Sequence, residues 1–356
     1  MYDIAIIGAG PAGANLARLL GKSHKILLID KRQLDSDAGC NSPIKCCGGL
    51  LAPDAQKIIA ELGLGLPQNV LVGPQLFAVR TIDMEKNVER YYQRFYINVD
   101  REKIDRWLVS LIPPSVDMRF GCKFKAFESM KDGFKICFSQ AGKEYVEQSK
   151  LIVGADGANS MIRKQAFADL PAPKKYISIQ EWYEAEVMLP YFSAIFDREI
   201  SDFYSWTIPK DGYFIVGAAL EPDNQATLKF ELLKKKLSKY DFNLKKKVKR
   251  EGAFIYRPQS LRSIFTGKDG IMLIGEAAGW ISPSSAEGFS YAFRSSLALA
   301  QAIKENADSI KAYNNKTRGL KGNILVKNLK SPFMYSSLLR KIVMSTGIQS
   351  MNIPIK

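Results

Sequence analysis

Histidine is almost absent. The single one, His24, falls between a first helix and a second strand, which excludes histidine-based triads and multi-histidine metal sites. Cysteine is sparse as well. Cys40, Cys46, Cys47, Cys122 and Cys137 show no zinc or iron–sulfur spacing, so no metal is expected and the thiols are expected to be reduced. No stretch approaches the roughly 18 consecutive apolar residues of a membrane-spanning helix. The opening Met1-Tyr2-Asp3-Ile4 has neither a basic n-region nor a cleavage site, so a cytoplasmic location is expected, with attachment to the inner face of the membrane left open. Acid is scarce: 36 Asp and Glu stand against 51 Lys and Arg, a net charge of +15. From Tyr313 to Lys356 there is no acidic residue at all. With so few catalytic side chains, whatever this chain does rests on more than side chains alone.

The positive surplus suits acidic partners: an anionic membrane surface, a phosphorylated substrate or an acidic redox protein. A solvated basic surface accounts for it equally well, and nucleic acid is not expected. The runs Lys234-Lys235-Lys236 and Lys245-Lys246-Lys247 read most simply as solvated faces.

What is present is a soluble α/β composition, 46% hydrophobic over 356 residues, with room for about two domains. Residues 3–7 read as a buried strand, Gly8 to Gly13 as a turn, Ala14 to Leu20 as a helix and Lys25 to Asp30 as a second strand, which together make a βαβ unit. Residues 118–148 alternate as a β-meander, and Leu151-Ile152-Val153 returns to a core strand. The fold class expected is α/β, a Rossmann-like dinucleotide domain with an inserted antiparallel β-sheet substrate domain and a C-terminal helical segment. Residues 1–75, 100–175 and 265–312 would build the first domain, 76–99 and 176–264 the second, and 313–356 the basic helical segment.

Gly8-x-Gly10-x-x-Gly13 follows a strand, opens a helix and is answered by Asp30 at the end of the next strand. Gly8 allows the tight turn, Gly10 lets a pyrophosphate approach the backbone, and Gly13 lets helix and strand pack closely. The phosphates would sit on the helix N-terminus, with Pro11 and Ala12 in the cradle and Asp30, beside Lys31, on the adenosine ribose. This motif alone does not separate FAD from NAD.

Gly154-Ala155-Asp156-Gly157 and Ile274-Gly275-Glu276-Ala277-Ala278-Gly279 each follow a core strand. They resemble the two later fingerprints of the flavoprotein superfamily that contains aromatic hydroxylases and geranylgeranyl reductases. The resemblance implies FAD as cofactor, with Asp156 and Gly157 near the pyrophosphate and ribityl chain and the loop from Gly275 to Gly288 along the flavin. Most of that superfamily has Asp where Glu276 stands. Arg101 matches an arginine that opens a helix and contacts the flavin. Lys45-Cys46-Cys47-Gly48-Gly49-Leu50 and Tyr204-Ser205-Trp206 are similar to the Cys-Gly-Gly loop and the aromatic cavity motif of the geranylgeranyl reductase family. Cys47, Gly48 and Gly49 would therefore lie by the flavin. The stretches Cys47 to Gln56, Leu151 to Met161, Tyr204 to Phe214 and Leu273 to Ala292 resemble an enterobacterial branch of that family, named for colicin M resistance.

The resemblance implies reduction of C=C bonds in a prenyl or other apolar lipid, with Cys47, Tyr204 and Trp206 as candidate catalytic residues. Hydroxylation of an aromatic substrate is the alternative, and halogenation a third reading, because Tyr204-x-Trp206-x-Ile208-Pro209 also resembles a halogenase motif that lacks its first Trp here. Trp182, Tyr204 and Trp206 either line an apolar cavity or simply pack. No second Gly-x-Gly-x-x-Gly is seen, so NAD(P)H as a transient donor and an acidic electron-donor protein both stay open.

Overall fold

The structure is a computed structural model that describes residues 1–34, 46–185, 189–240, 242–305 and 308–353. Cys40 and Lys45 of the expected loop lie outside the described residues.

Two sheets organise the chain. The first has eight strands. Its parallel core places Tyr2–Ile7 between Ile26–Ile29 and Lys143–Gly154, with Ile271–Leu273 and Asp117–Arg119 on the flanks. Strand alternation feeds both faces. Ile4 and Ile6 join the cluster under the Pro11–Leu20, Arg101–Ser110 and Phe289–Lys304 helices. Ala5 and Ile7 join the opposite one, which the meander covers with Phe124, Phe134, Ile136 and Phe138. The meander itself is antiparallel and runs directly into the Lys143–Gly154 strand.

The second sheet runs in the order Lys247–Arg257, Lys174–Glu184, Tyr213–Leu220, Ser205–Lys210, Tyr191–Phe196, Leu76–Asp83, Val88–Asn98 and Ser350–Met351, and Leu50–Leu51 also pairs with Val88–Asn98. Ala226–Leu237 packs Phe230, Leu233 and Leu237 on one face against Ile179, Ile195 and Val216.

Two expectations need correction. The second sheet is not purely antiparallel: Tyr191–Phe196 runs parallel to Leu76–Asp83. Parallel neighbours need a long crossover, and the whole stretch from Met84 to Pro190 supplies it. The C-terminal segment is not helical throughout. After the helices Ser309–Lys316, Arg318–Tyr335 and Ser337–Thr346, Gly347 turns the chain at φ +62°, and Ser350–Met351 pairs with Tyr92–Tyr91. A glycine in the left-handed region ends a helix without steric cost, which frees the chain to add an edge strand.

The lysine runs are not merely solvated. Lys234 bonds buried Glu181 at 2.9 Å and Lys236 bonds buried Asp197 at 2.6 Å, tying the Ala226–Leu237 helix to its sheet.

Candidate functional site

Three glycine turns meet at the carboxyl edge of the parallel strands, where α/β sheets place their ligands. Gly8 has φ +109°, and a Cβ there would lie 2.5 Å from the Ala155 carbonyl oxygen. A Cβ on Gly275 would lie 2.9 Å from Cβ of Ala12. The first turn therefore touches both others. Gly13 is closed for the reason read from the sequence: its Cβ would meet the Gly8 carbonyl oxygen at 1.9 Å. Gly10 differs. Among the described residues beyond its chain neighbours, nothing lies within 4 Å of its would-be Cβ, so protein packing does not explain this glycine; Gly157 is equally open, but its φ of +76° already calls for glycine. Pro11 and Ala12 open the helix, with Gly10 as its N-cap.

Asp30 is held by four donors. Its Oδ2 accepts from the backbone N–H of Ala9 at 2.7 Å and from Arg32 at 3.0 Å, and its Oδ1 accepts twice more from Arg32. Arg32 then reaches Asp105 at 2.7 Å, and Asp105 pairs with Arg101 at 2.9 Å. A buried line of alternating charge thus runs Asp30, Arg32, Asp105, Arg101, ending with Arg101 4.7 Å above the centre of the Phe289 ring. Burial works to raise the Asp105 pKa, but Arg101 and Arg32 outweigh it and hold the carboxylate below its usual range. Lys31 is exposed beside Asp30. Arg32 and Asp105 were not singled out in the sequence, although the i,i+4 spacing of Arg101 and Asp105 on one helix was a legible signal.

Among the described residues, Oδ1 of Asp156 and Nε of Arg101 are buried without a hydrogen-bond partner, as is Oδ1 of Asp105, which keeps only its ion pair with Arg101. The other oxygen of Asp156 accepts from the N–H groups of Met161 and Ile162 at the start of the next helix, and burial pushes its pKa up. A buried acceptor and a buried donor without protein partners, together with the open Gly10 position, are compatible with a polar ligand such as a dinucleotide.

Glu276 ties this edge to its surroundings. Its Oε1 accepts from the N–H of Tyr256 at 2.9 Å, linking this edge to the second sheet. Gly288 caps the Phe289–Lys304 helix, and Glu287 sits on that helix N-terminus, accepting from the Ser290 N–H at 2.7 Å and its hydroxyl at 2.5 Å. Burial raises the Glu287 pKa. A carboxylate thus occupies part of the positive end of this helix.

The Cys47-Gly48-Gly49 turn joins the two sheets. Cys47 Sγ accepts from the Gly49 N–H and lies within electrostatic reach of Arg101, Tyr204 and Lys210. A Cβ on Gly48 would meet Ile208 at 2.3 Å. Lys210, unforeseen, is buried and donates to Asn98 Oδ1 at 2.5 Å, Val99 O at 2.7 Å and Gly49 O at 3.4 Å. Burial pushes its ammonium down to about 7.

Tyr204 donates to the Ser285 carbonyl at 2.8 Å and packs 5.4 Å from Trp206. Phe203 and Tyr335 extend this aromatic cluster. Trp206 is buried with an unpartnered Nε1, and its ring fits only because residue 217 is glycine, whose Cβ would lie 2.3 Å away. Trp182 Nε1 instead donates to Glu251 at 3.1 Å. Among the described residues no cluster suited to a metal occurs.

No protein-family model matches the chain. Over 348 residues, 98% of its length, it is 41% identical to Protein CbrA of Escherichia coli O9:H4, 94% of which is covered. The chain belongs to the CbrA family. The enterobacterial likeness seen in the glycine motifs therefore extends along nearly the whole chain, although the name CbrA describes no reaction. The fold of this CbrA-family chain is also that of a geranylgeranyl bacteriochlorophyll reductase-like protein from Thermoplasma acidophilum, with a TM-score of 0.78 at 18% identity, covering 97% of this chain and 90% of that one. A probable FAD-dependent monooxygenase from Pseudomonas aeruginosa superposes with a TM-score of 0.70 at 16% identity, covering 97% and 98%. The CbrA family thus shares the fold of FAD-dependent oxidoreductases.

Proposed function

We propose that this chain is an FAD-dependent oxidoreductase that reduces C=C bonds of a prenyl or other apolar lipid. The observation that carries the reading is the pair of buried polar atoms, Asp156 Oδ1 and Arg101 Nε, without a partner among the described residues; the aromatic cluster of Tyr204 and Trp206 supports an apolar substrate. Bound at this edge, FAD would supply the two-electron chemistry.

The chain's own residues then divide the work. Gly8, Gly10 and Gly13 give the pyrophosphate access to backbone N–H groups at a helix N-terminus. Asp156 accepts from a hydroxyl, and Arg101, fixed by Asp105, donates from its free Nε. Tyr204, Trp206, Phe203 and Tyr335 present apolar surface and exclude water. Tyr204 keeps its proton, because burial pushes its pKa up, and spends it on the Ser285 carbonyl. Cys47 is the thiol placed to hold the proton that a reduced double bond must gain. Electrons would come from NAD(P)H or from an acidic redox protein.

The test is mass spectrometry of polyprenyl phosphates after incubation with the dithionite-reduced protein, first anaerobically and then in air. Gain of hydrogen pairs without oxygen is expected. Gain of oxygen only in air would make the protein a monooxygenase, and an unchanged lipid would remove the prenyl assignment.

A further inference from the structure

We infer that the outward face of the Arg318–Tyr335 and Ser337–Thr346 helices docks on an anionic bilayer. Leu325, Leu329 and Phe333 recur every fourth residue and so form one stripe; Leu329 is 68% and Phe333 52% exposed. Leu338 and Ile342 continue it on the next helix, with Leu338 67% exposed. The helices are not free to turn this stripe inward. Ile324 is buried, Asn328 donates to the Pro258 carbonyl at 3.0 Å, and Tyr335 donates to that of Ser284 at 2.6 Å. Arg340, also buried, pairs with Asp83 at 2.7 Å and Glu85 at 3.2 Å.

Charge decides the occupant. Lys316, Lys327 and Arg340 are matched by Glu305, Asp54 and Asp83. Exposed Arg318, Lys330 and Lys341 have no acidic partner among the described residues, and the segment from Tyr313 onward supplies none. A second copy would bring the same unpaired cations to a two-fold contact, where they repel. A bilayer with anionic headgroups accepts the apolar stripe and the cations together. Neither helix is apolar enough to cross a membrane, so the pair lies on the surface. The inward side of the same helix carries Tyr335, 5.3 Å from Phe203, which puts the docking face about one helix diameter, roughly 10 Å, from the aromatic cluster. The docking inference stands on surface chemistry and does not depend on which reaction the site performs.

The full-length protein is sedimented with vesicles of phosphatidylcholine alone and of phosphatidylcholine with phosphatidylglycerol in equal parts, at low and high salt. Binding to the anionic vesicles at low salt is expected, at least about tenfold tighter than to neutral ones. The double change Leu329→Glu with Phe333→Glu should abolish it. Lys330→Gln and Lys341→Gln should each weaken it roughly fivefold, while Lys268→Gln, outside the face, should not. Circular dichroism and melting temperature verify that the variants fold. A wild-type chain indifferent to anionic lipid, or a Leu329→Glu/Phe333→Glu protein that still binds, overturns the inference. So does a dimer dispersed by those changes without vesicle binding, which would give the face to a second copy.

Discussion

Arg101 and Asp105 stand one turn apart on the same helix, and beside their ion pair at 2.9 Å the arginine Nε is buried without a partner among the described residues. The pair is a positioning device. Asp105 fixes a cation whose remaining donor is free for a ligand, and Arg32 shares the same carboxylate.

Replacing Asp105 with Ala should cost about 3 kcal/mol of stability, because it leaves the Arg101 guanidinium without a counter-charge while Arg32 keeps only Asp30. Urea unfolding of the wild type and variant measures this. Replacing Arg101 with Met should cost less, since Arg32 still answers Asp105, but should lower the amount of flavin retained through purification.

Gly10 and Gly13 should fail in different ways. A Cβ at residue 10 meets no described atom within 4 Å, so Gly10→Val should fold, with its melting temperature lowered only by the poorer N-cap, and lose its yellow colour. Gly13→Val drives a side chain into the Gly8 carbonyl, so soluble protein itself should fall. A Gly10→Val protein that keeps stoichiometric flavin would refute the cofactor assignment.

Lys210 makes stability depend on pH. Burial lowers its folded pKa to about 7, whereas in the unfolded chain it is about 10.4. Between these values the unfolded chain holds the extra proton, so this group makes stability rise from about pH 7 toward pH 10, with no dependence below pH 7. Lys210→Met should flatten that rise, seen as a smaller shift of the urea midpoint between pH 7 and pH 9.

Gly217→Ala pushes a methyl group into the Trp206 ring and should destabilise the protein by about 1–3 kcal/mol. Combining it with Trp206→Leu should recover much of the loss, a coupling that a double-mutant cycle measures directly.

Cys47→Ala should retain flavin and lower turnover by at least about tenfold if the thiol holds the proton. Turnover equal to wild type would reduce Cys47 to a packing residue.

Local signals carried much of the fold. The βαβ unit, the helix at Arg101, the meander and the three glycine turns were legible because each is written in a short run of sequence. The relations between distant segments were not. Nothing near Tyr191 shows that it runs parallel to Ala78, and Ser350–Met351 is too short to announce a strand. At the site, Gly8, Gly13 and Asp156 could be read from their motifs. That Arg32 fills Asp30, that Glu276 turns to Tyr256 and that Lys210 binds the Cys-Gly-Gly turn depend on partners 2 to 161 residues away, and pattern alone does not name them.

The alternating line from Asp30 to Arg101 also orders the history open to this family. A lineage that first exchanges Asp105 for a neutral residue must carry Arg101 without a counter-charge until a second change arrives, although Arg32 keeps Asp30. One that first exchanges Arg101 keeps every remaining charge paired. Substitutions along this line are therefore passable in one sequence and nearly closed in the other, so relatives lacking Asp105 are expected to lack Arg101 as well.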